Sequence, residues 1–462
     1  ATRDMYLDAE GNADSTLSRF HGLAVGVPGT VAGMQLALET YGTLTLAEAA
    51  EPAIRLAEDG IVVTADLADS LKSLEKRLKT WPASAAIFYK PDGSFYEPGD
   101  VLKQPDLAAT LKKIAAEGPD GFYTGEVAEA ISASVEEAGG SMTVEDLANY
   151  KAVIREPVTG TYRGHEIVSM PPPSSGGTHI IQILNVMEGY PIGFLGHNSS
   201  DTIHLMAEAM KRAYADRSEY LGDPDFTDVP VAALTSKDYA AKIRDGISLN
   251  RATPSSSIKP GKLSPYESDQ TTHFSIVDKD GNAVSNTYTL NFSYGSGMTA
   301  AGTGVLLNNE MDDFSAKPGV PNAYGLIGGD ANAVEPGKRP LSSMSPTIVL
   351  KDGKPLLVTG SPGGSRIITT TLQLISNMID HGMNVAEATH ASRIHHQWLP
   401  DEIRVEDSGL SRDTVAALEA KGHTITVKSV MGSTQSIHVD AEKGLLLGAS
   451  DPRRTGSATV GY

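Results

Sequence analysis

The 462-residue sequence has no cysteine, no long apolar run and no excess of positive charge. Without cysteine, a disulfide framework, a thiol nucleophile and a thiolate metal site are all excluded. Without a long apolar run, no membrane-spanning helix is expected. The formal net charge of −19 argues against nucleic acid and anionic membrane surfaces as partners. An anionic group on a substrate would therefore need a local cation in its binding site.

What the chain does contain is the composition of a soluble globular protein. Hydrophobic residues make up 40% of it and charged residues 21%, which is close to the usual balance for such proteins. At this length the chain can form one large core or two ordinary domains. No internal repeat is present that would indicate a solenoid.

Two alternating runs, residues 274–277 and 283–289, flank an Asp280-Gly281 turn. This pattern predicts a β-hairpin. A two-residue turn at this dipeptide would pair residues whose numbers sum to about 561. Thr271 would then face Leu290, with Thr289 and Asn291 beside it.

Thr271 lies at the start of this hairpin and is a candidate nucleophile. A threonine hydroxyl is a weak nucleophile, and its base in the threonine form of covalent catalysis is the residue's own α-amine. Such an amine has a pKa of about 7.7–8.0, so it can accept a proton near neutrality. The amine exists only if the chain is cut between Gln270 and Thr271. The alternative is an ordinary strand that begins with two β-branched residues.

The stretch before Thr271 is consistent with such a cut. Residues 249–270 are rich in proline and serine, which is typical of a flexible linker. A flexible arm that leads directly into a strand could move away from the new N-terminus after cleavage.

Polar groups also follow the predicted strand at 305–307. The carboxylates Glu310, Asp312 and Asp313 either bind an ammonium group or cap a loop, whereas a Ca²⁺ site would usually need a longer loop. Residues 316–340 form a long loop rich in glycine and proline. Such a length predicts a lid over a pocket, with Tyr324 as a wall. Two hydroxyl donors suited to a carboxylate come next, Ser342 and Ser343.

A glycine turn, Gly363-Gly364, leads into an apolar helix predicted at about 366–380. Its backbone N–H groups are bare at a helix N-terminus, where the helix dipole favours negative charge. A phosphate or the oxyanion of a tetrahedral intermediate could bind there, and we favour the oxyanion because a nucleophile candidate is available. The adjacent His395 and His396 would point to opposite faces of a strand, which disfavours a shared metal.

Long motifs occur along the chain in a fixed order, at residues 266–275, 287–291, 307–315, 339–346, 359–366 and 432–436. Together they resemble the γ-glutamyltranspeptidases, or glutathione hydrolases, and the likeness covers essentially the whole chain. The resemblance implies an α+β fold, a four-layer αββα sandwich of the N-terminal-nucleophile hydrolase type. It also implies a proenzyme that cuts itself between Gln270 and Thr271.

The same resemblance implies a role for each site residue. Thr271 would be the nucleophile, Thr289 its hydroxyl partner, and Gly363 and Gly364 the oxyanion donors. The groups that hold the substrate's α-ammonium would be Asn291, Glu310 and Asp313. Those that hold its α-carboxylate would be Arg3, Ser342 and Ser343, with Arg3 as the local cation. No metal or organic cofactor is implied.

The implied reaction is attack on the γ-amide of glutathione or another γ-glutamyl compound, which leaves a γ-glutamyl ester on Thr271. Water resolves this ester as hydrolysis, and an amino acid or dipeptide resolves it as transfer. Residues 1–270, ending in the linker 249–270, and residues 271–462 would be the large and small subunits of a heterodimer. By resemblance the protein is periplasmic or secreted. The alternatives are a related amidase or β-lactam acylase, or an inactive fragment.

The segment that begins at Ala1 resembles a part well inside the family's large subunit. We therefore expect a protein made of these 462 residues alone to lack the family's first strands and helices. Such a protein should be poorly stable, because unpaired strand edges and apolar faces favour aggregation. Circular dichroism during thermal unfolding tests this expectation. A single cooperative, reversible transition would contradict it.

Overall fold

A computed structural model describes residues 1–258, 271–320 and 328–461. The chain divides into two compact units. The sandwich unit comprises Ala1–Ala13, Glu156–Thr289 and Asp313–Tyr462, and the helical unit comprises Asp14–Arg155 and Leu290–Asp312. These units are defined by their internal contacts. The division at the expected cleavage site, into residues 1–270 and 271–462, stays a prediction.

The helical unit consists mainly of α-helices. Two apolar clusters, around Leu71 and Ile131, form the core of the unit. Its third helix begins with a capping box between Thr45 and Glu48. Its elements are α1 (Ser15–Phe20), α2 (Thr30–Tyr41), α3 (Leu46–Asp59), β1 (Ile61–Val62), α4 (Ala65–Ser73), α5 (Glu75–Lys79), α6 (Pro82–Phe88), β2 (Val101–Leu102), α7 (Pro105–Glu117), α8 (Asp120–Tyr123), α9 (Gly125–Glu137) and α10 (Val144–Ala148).

The sandwich unit contains both helices and strands. Its elements are β3 (Val158–Tyr162), β4 (His165–Ser169), α11 (Gly176–Met187), α12 (Ile192–Leu195), α13 (Ser200–Tyr220), α14 (Val231–Leu234), α15 (Lys237–Asp245), β5 (Thr272–Val277), β6 (Ala283–Tyr288), β7 (Thr347–Lys351), β8 (Lys354–Thr359), α16 (Arg366–Ile379), α17 (Val385–His390), β9 (Ile394–His395), β10 (Ile403–Glu406), α18 (Arg412–Ala420), β11 (Ile425–Lys428), β12 (Gln435–Asp440) and β13 (Leu445–Ser450).

These elements form layers. An antiparallel six-stranded sheet has the order β13-β12-β8-β7-β4-β3. The β5–β6 hairpin contacts β8 and β12, and helices α11 and α17 also contact strands of this sheet. Helix α11 is buried along its whole length, which agrees with its apolar composition. None of the helices in the described ranges combines the length and the apolar character that a bilayer crossing requires.

The β5–β6 hairpin forms where predicted, but its register differs from the prediction by one residue. Thr272 pairs with Tyr288, and Val277 pairs with Ala283. The reason is a longer turn, because the carboxylate of Asp278 accepts hydrogen bonds from the backbone N–H groups of residues 280 and 282, at 2.9 and 2.8 Å. Continued by one residue, this register sets Thr271 opposite Thr289 instead of Leu290.

We expect Gly176→Ala to destabilise the protein. A Cβ at this position, the first of α11, would lie 2.2 Å from the carbonyl oxygen of Met344 and 2.3 Å from Oγ of Ser345. Relief of such overpacking usually costs about 1–3 kcal/mol. The matched control is Gly33→Ala within α2, where a Cβ meets nothing within 4 Å. There alanine should be neutral or stabilise by about 0.5–1 kcal/mol. Melting temperatures of the two variants test this, and equal shifts would contradict it.

Candidate active site

Thr271 is buried at the start of β5, in the sandwich unit. Its carbonyl oxygen accepts a hydrogen bond from Nη1 of Arg454 at 3.0 Å. This bond fixes the backbone of the candidate nucleophile beside the last segment of the chain. The other half of the predicted cleavage site, Gln270, lies outside the described residues.

The histidine nearest to Thr271 in sequence is fully engaged. His273 is buried, with Nδ1 2.7 Å from Oγ1 of Thr287 and Nε2 3.1 Å from Oγ of Ser275. Burial lowers the pKa of its imidazole to about 3, so the ring is neutral. Gly360 leaves room for it, because a Cβ there would lie 2.3 Å from the ring. His273 therefore positions β5, and the α-amine remains the base candidate for Thr271.

The glycine turn has the geometry that the sequence predicts. Gly363 and Gly364 both have positive φ, +132° and +55°, a region that side chains rarely adopt. The turn continues into α16, whose first residue, Arg366, donates its N–H to the carbonyl of Gly363 at 3.1 Å. Ser365, which follows Gly364, is also fixed, because its carbonyl accepts a hydrogen bond from the hydroxyl of Tyr214. Such a turn at a helix N-terminus suits a developing negative charge.

Ser342 and Ser343 are held in a specific arrangement. Ser342 donates its N–H to the carbonyl of Pro173 at 2.9 Å, and its Oγ accepts from the N–H of Met344 at 3.0 Å. Oγ of Ser343 accepts from Nη2 of Arg217 at 3.2 Å. Because both hydroxyl oxygens act as acceptors here, both can still donate their protons to a ligand.

Asp313 also belongs to the sandwich unit. Its carbonyl accepts from Nδ2 of Asn332 at 2.8 Å, which fixes the backbone at this residue. Its carboxylate lies close enough to Arg217 to counteract the effect of burial on the pKa of that guanidinium. A carboxylate therefore lies near the cation that holds Ser343.

Arg3 lies in an exposed position. Its guanidinium forms an ion pair with Asp330, and the two side chains are 55% and 76% exposed. A substrate carboxylate would have to compete with Asp330 for this guanidinium. The carboxylate-binding role of Arg3 stays a prediction. Tyr324, the predicted wall of the lid, lies outside the described residues.

Asn291 and Glu310 belong to the helical unit and are joined there. The N–H of Asn291 donates to the carboxylate of Glu310, and Nδ2 of Asn291 donates to the carbonyl of Asn309 at 2.9 Å. Oε1 of Glu310 is buried and has no hydrogen-bond partner among the described residues. Burial raises the pKa of this carboxyl to about 7. A buried acceptor with unused capacity is suited to a cationic donor such as an ammonium group.

Within the described part of the chain, one group of side chains has a spacing that could suit a metal, namely His204, Glu208 and His423. Glu208 already accepts from Lys211, from Arg212 and from the N–H of Thr253, so two cations neutralise it. Nδ1 of His204 lies 2.7 Å from Nε2 of His423, and its Nε2 is equally close to the carbonyl of Ser248. A divalent cation would face positive charge and occupied ligands, so we interpret this group as structural.

The adjacent histidines near the end of β9 are likewise bonded within the protein. Nδ1 of His395 lies 2.8 Å from Oγ1 of Thr369, and its Nε2 lies 3.0 Å from Oε1 of Gln397. His396 contacts Asp401 through Nε2 at 3.3 Å. The two rings have different partners, as expected for neighbours that point in opposite directions.

The first part of the predicted linker is bound to the sandwich unit. The N–H of Ala252 donates to the carbonyl of Lys421 at 2.8 Å, and the N–H of Ser255 donates to Asp401 at 2.8 Å. Nε1 of Trp398 donates to the carbonyls of Ser255 and Ile258. The second part of the linker, residues 259–270, lies outside the described residues.

Arg217 and Ser175 contact the pair Ser342–Ser343, and the sequence patterns singled out neither of them. Arg217 follows Tyr214 by three residues in the sequence, which on a helix puts both on one stripe together with apolar residues such as Met210. An arginine in such a stripe was a usable signal of a buried functional cation. Ser175 carried no comparable signal, because its contacts are with residues distant in sequence.

Comparison with known proteins gives consistent results. The profile of the family described as Gamma-glutamyltranspeptidase matches residues 1–461. The glutathione hydrolase proenzyme of Escherichia coli (strain K12) is 60% identical over 463 residues, which cover 100% of this chain and 79% of that protein. The enzyme of the same name from Pseudomonas sp. (strain A14) is 50% identical over 470 residues, covering 100% and 82%. The crystal structure of cephalosporin acylase from Bacillus halodurans matches with a TM-score of 0.83 and 31% identity, over 95% of this chain and 79% of that one.

Proposed function

The chain belongs to the γ-glutamyltranspeptidase family, and from this premise we propose that it acts as a glutathione hydrolase and γ-glutamyltransferase. The observation that carries the proposal is the match over residues 1–461, which includes Thr271 at the start of β5. The fold class predicted from the sequence, an α+β sandwich of the N-terminal-nucleophile hydrolase type, is confirmed. The described residues of the sandwich unit include helices, the six-stranded sheet and the β5–β6 hairpin, which are the elements of such a sandwich.

The proposed reaction begins with cleavage of the bond between Gln270 and Thr271. The freed α-amine of Thr271 takes the proton from its own hydroxyl as Oγ1 bonds to the γ-carbonyl carbon of the substrate. The N–H groups of Gly363 and Gly364 stabilise the oxyanion of the tetrahedral intermediate. When the intermediate collapses, the carbon–nitrogen bond breaks, the leaving amine takes the proton, and a γ-glutamyl ester remains on Thr271. Thr289 supports the nucleophile with its hydroxyl.

Water or an amine then attacks the ester carbonyl, and the α-amine of Thr271 again takes the proton. Attack by water releases glutamate, and attack by an amino acid or dipeptide gives a new γ-glutamyl amide. In both cases Oγ1 of Thr271 recovers its proton and the enzyme is regenerated. The proposed chemistry uses only protein groups.

Recognition of the γ-glutamyl group uses its two α-substituents. We assign Ser342, Ser343 and Arg3 to the α-carboxylate, and the serine hydroxyls support this assignment because both oxygens act as acceptors and keep a proton to donate. We assign Asp313, Asn291 and Glu310 to the α-ammonium, which the unused acceptor of Glu310 supports. The contact of Tyr324 with the substrate stays a prediction from the long loop at 316–340.

The assembly and the location follow from the family. The fragments 1–270 and 271–462 would remain together as a heterodimer, because β5 and β6 pack on a sheet that contains β3 and β4 from the first fragment. A periplasmic or secreted location is proposed on the resemblance alone.

A second candidate is an acylase of the same fold, since the cephalosporin acylase from Bacillus halodurans has a TM-score of 0.83. Such an enzyme would share the nucleophile but would have no use for two clamps on the α-substituents. Turnover of γ-glutamyl-p-nitroanilide compared with that of a glutaryl or simple acyl anilide separates the two. A preference for the simple acyl compound would favour the acylase.

Thr271→Ala should prevent both cleavage and catalysis, because alanine has no hydroxyl to attack the Gln270 carbonyl or the substrate. Mass spectrometry of the protein expressed from its complete gene should find two fragments that meet at this bond. For the variant it should find one intact chain. Release of p-nitroaniline from γ-glutamyl-p-nitroanilide should fall by at least about 10³-fold.

The matched control is Thr271→Ser, which keeps a hydroxyl and an α-amine. We expect it to be cut and to retain measurable turnover. The proposal fails if Thr271→Ala is cut at the same bond, or if it releases product at the rate of the unaltered protein.

Binding of glutamate should weaken as the pH falls through about 7. Burial raises the pKa of Glu310 to about 7, so its carboxylate is charged above this pH and neutral below it. Only the charged form attracts the α-ammonium, so the inhibition constant of L-glutamate should rise about three- to tenfold between pH 8 and pH 6.

The control for this effect is Glu310→Gln, which keeps the shape but cannot ionise. Its inhibition constant should change less over the same range, because only the titration of Thr271 and the ligand remains. Identical pH profiles for the two proteins would exclude Glu310 as the titrating group.

A further inference from the structure

The α-carboxylate of a γ-glutamyl donor needs a cation in a protein whose net charge is −19. The predicted cation, Arg3, is exposed and already paired with Asp330. A different arginine, Arg217 on α13, is only 4% exposed and lies directly behind the serine pair. This position makes Arg217 a candidate for a second source of positive charge beside the serine pair.

Arg217 is linked to both residues of the serine pair. It bonds to Ser343 directly and reaches Ser342 through Ser175. Its Nη2 donates to Oγ of Ser343 at 3.2 Å, and its Nε donates to Oγ of Ser175 at 2.9 Å. Ser175 in turn donates from its N–H and from its Oγ to the carbonyl of Ser342, both at 2.9 Å. The planar guanidinium therefore fixes two serines at once, which a lysine ammonium could not reproduce with the same geometry.

The guanidinium is charged at neutral pH in spite of its burial. Burial lowers its pKa to about 10, and the nearby Tyr214 and Asp313 act in the opposite direction. Its recorded hydrogen bonds within the described residues go to hydroxyls and not to carboxylates. Asp313 compensates this charge in part, and an anionic ligand bound close by would stabilise it further.

The direction of the bond to Ser343 matters for recognition. Because Oγ of Ser343 accepts from a cation, its own proton points elsewhere and is polarised for donation. A carboxylate is the natural acceptor for such a proton. Arg217 thus strengthens the hydrogen bond from Ser343 to a ligand that the guanidinium does not touch.

We propose that Arg217 is the positioning residue that orients the Ser342–Ser343 pair and supplies its positive charge, so that the enzyme selects donors with an α-carboxylate. This inference rests on the proposed function. Arg217 acts through Ser343 and does not contact the substrate. It therefore contributes to substrate selection and leaves the chemical steps at Thr271 unchanged.

The test compares two donors in the protein expressed from its complete gene. γ-Glutamyl-p-nitroanilide carries the α-carboxylate, and 4-aminobutyryl-p-nitroanilide lacks it but keeps the ammonium. Arg217→Lys should raise KM for the first donor about tenfold, with kcat changed less than about twofold. KM for the second donor should not change. The control, Arg163→Lys, replaces a different arginine, which is partly buried and paired with Asp380, and it should affect neither donor.

A double-mutant cycle tests the route of the effect. If Arg217 acts through Ser343, Arg217→Lys should have little further effect on KM in a Ser343→Ala background. Independent, additive effects of the two changes would overturn the proposed route. Equal changes in KM for both donors, or no change, would overturn the inference as a whole.

Failure to fold is distinguished by the extent of cleavage into two fragments and by circular dichroism. If Arg217→Lys is not cleaved, Ser175→Ala provides a milder test, since it removes one contact of the guanidinium and keeps the charge. It should raise KM for the γ-glutamyl donor alone, and an unchanged KM would overturn the inference. If the unaltered protein turns over neither donor, the proposed function fails. If it turns over the γ-glutamyl donor and the variants keep its donor selectivity, only this inference fails.

Discussion

The register of the β5–β6 hairpin is the constraint on which the candidate site depends. The carboxylate of Asp278 lengthens the turn, and the strands then pair from Thr272 with Tyr288 to Val277 with Ala283. A shift of one residue would move every side chain of a strand to the opposite face. Such a shift would expose His273 and bury the residues next to it. Thr271 and Thr289 would also no longer lie opposite each other.

This register is secured by polar contacts between the hairpin and the six-stranded sheet. Oγ of Ser285 donates to the carbonyl of Thr359 at 2.8 Å and accepts from the N–H of Thr347 at 3.0 Å. His273 fits against Gly360, which directly follows β8 and lies just before the glycine turn. The strand that directly follows Thr271 is therefore tied to the segment before the glycine turn. Directional hydrogen bonds fix such an alignment more tightly than apolar packing alone.

Electrostatics in this protein are local. The chain as a whole is strongly acidic, yet Arg217 is a buried cation and Glu310 has a buried carboxylate oxygen. In a site shielded from water, one charge a few ångströms away outweighs many screened charges on the surface. The assignments proposed for a carboxylate and for an ammonium group rely on such local charges.

The sequence by itself determined the family motifs, the position of Thr271 before a hairpin, and the glycine turn before the helix predicted at about 366–380. These depend on local periodicity, caps and turn residues, which neighbours in the chain specify. Only the tertiary structure decided that Arg3 pairs with Asp330, that Glu208 is neutralised by two cations, and that Arg217 holds Ser343. Arg217 and Ser343 are 126 residues apart, and no local pattern encodes their contact. Such contacts arise only when the layers pack, because packing selects which polar groups are buried together and must satisfy one another.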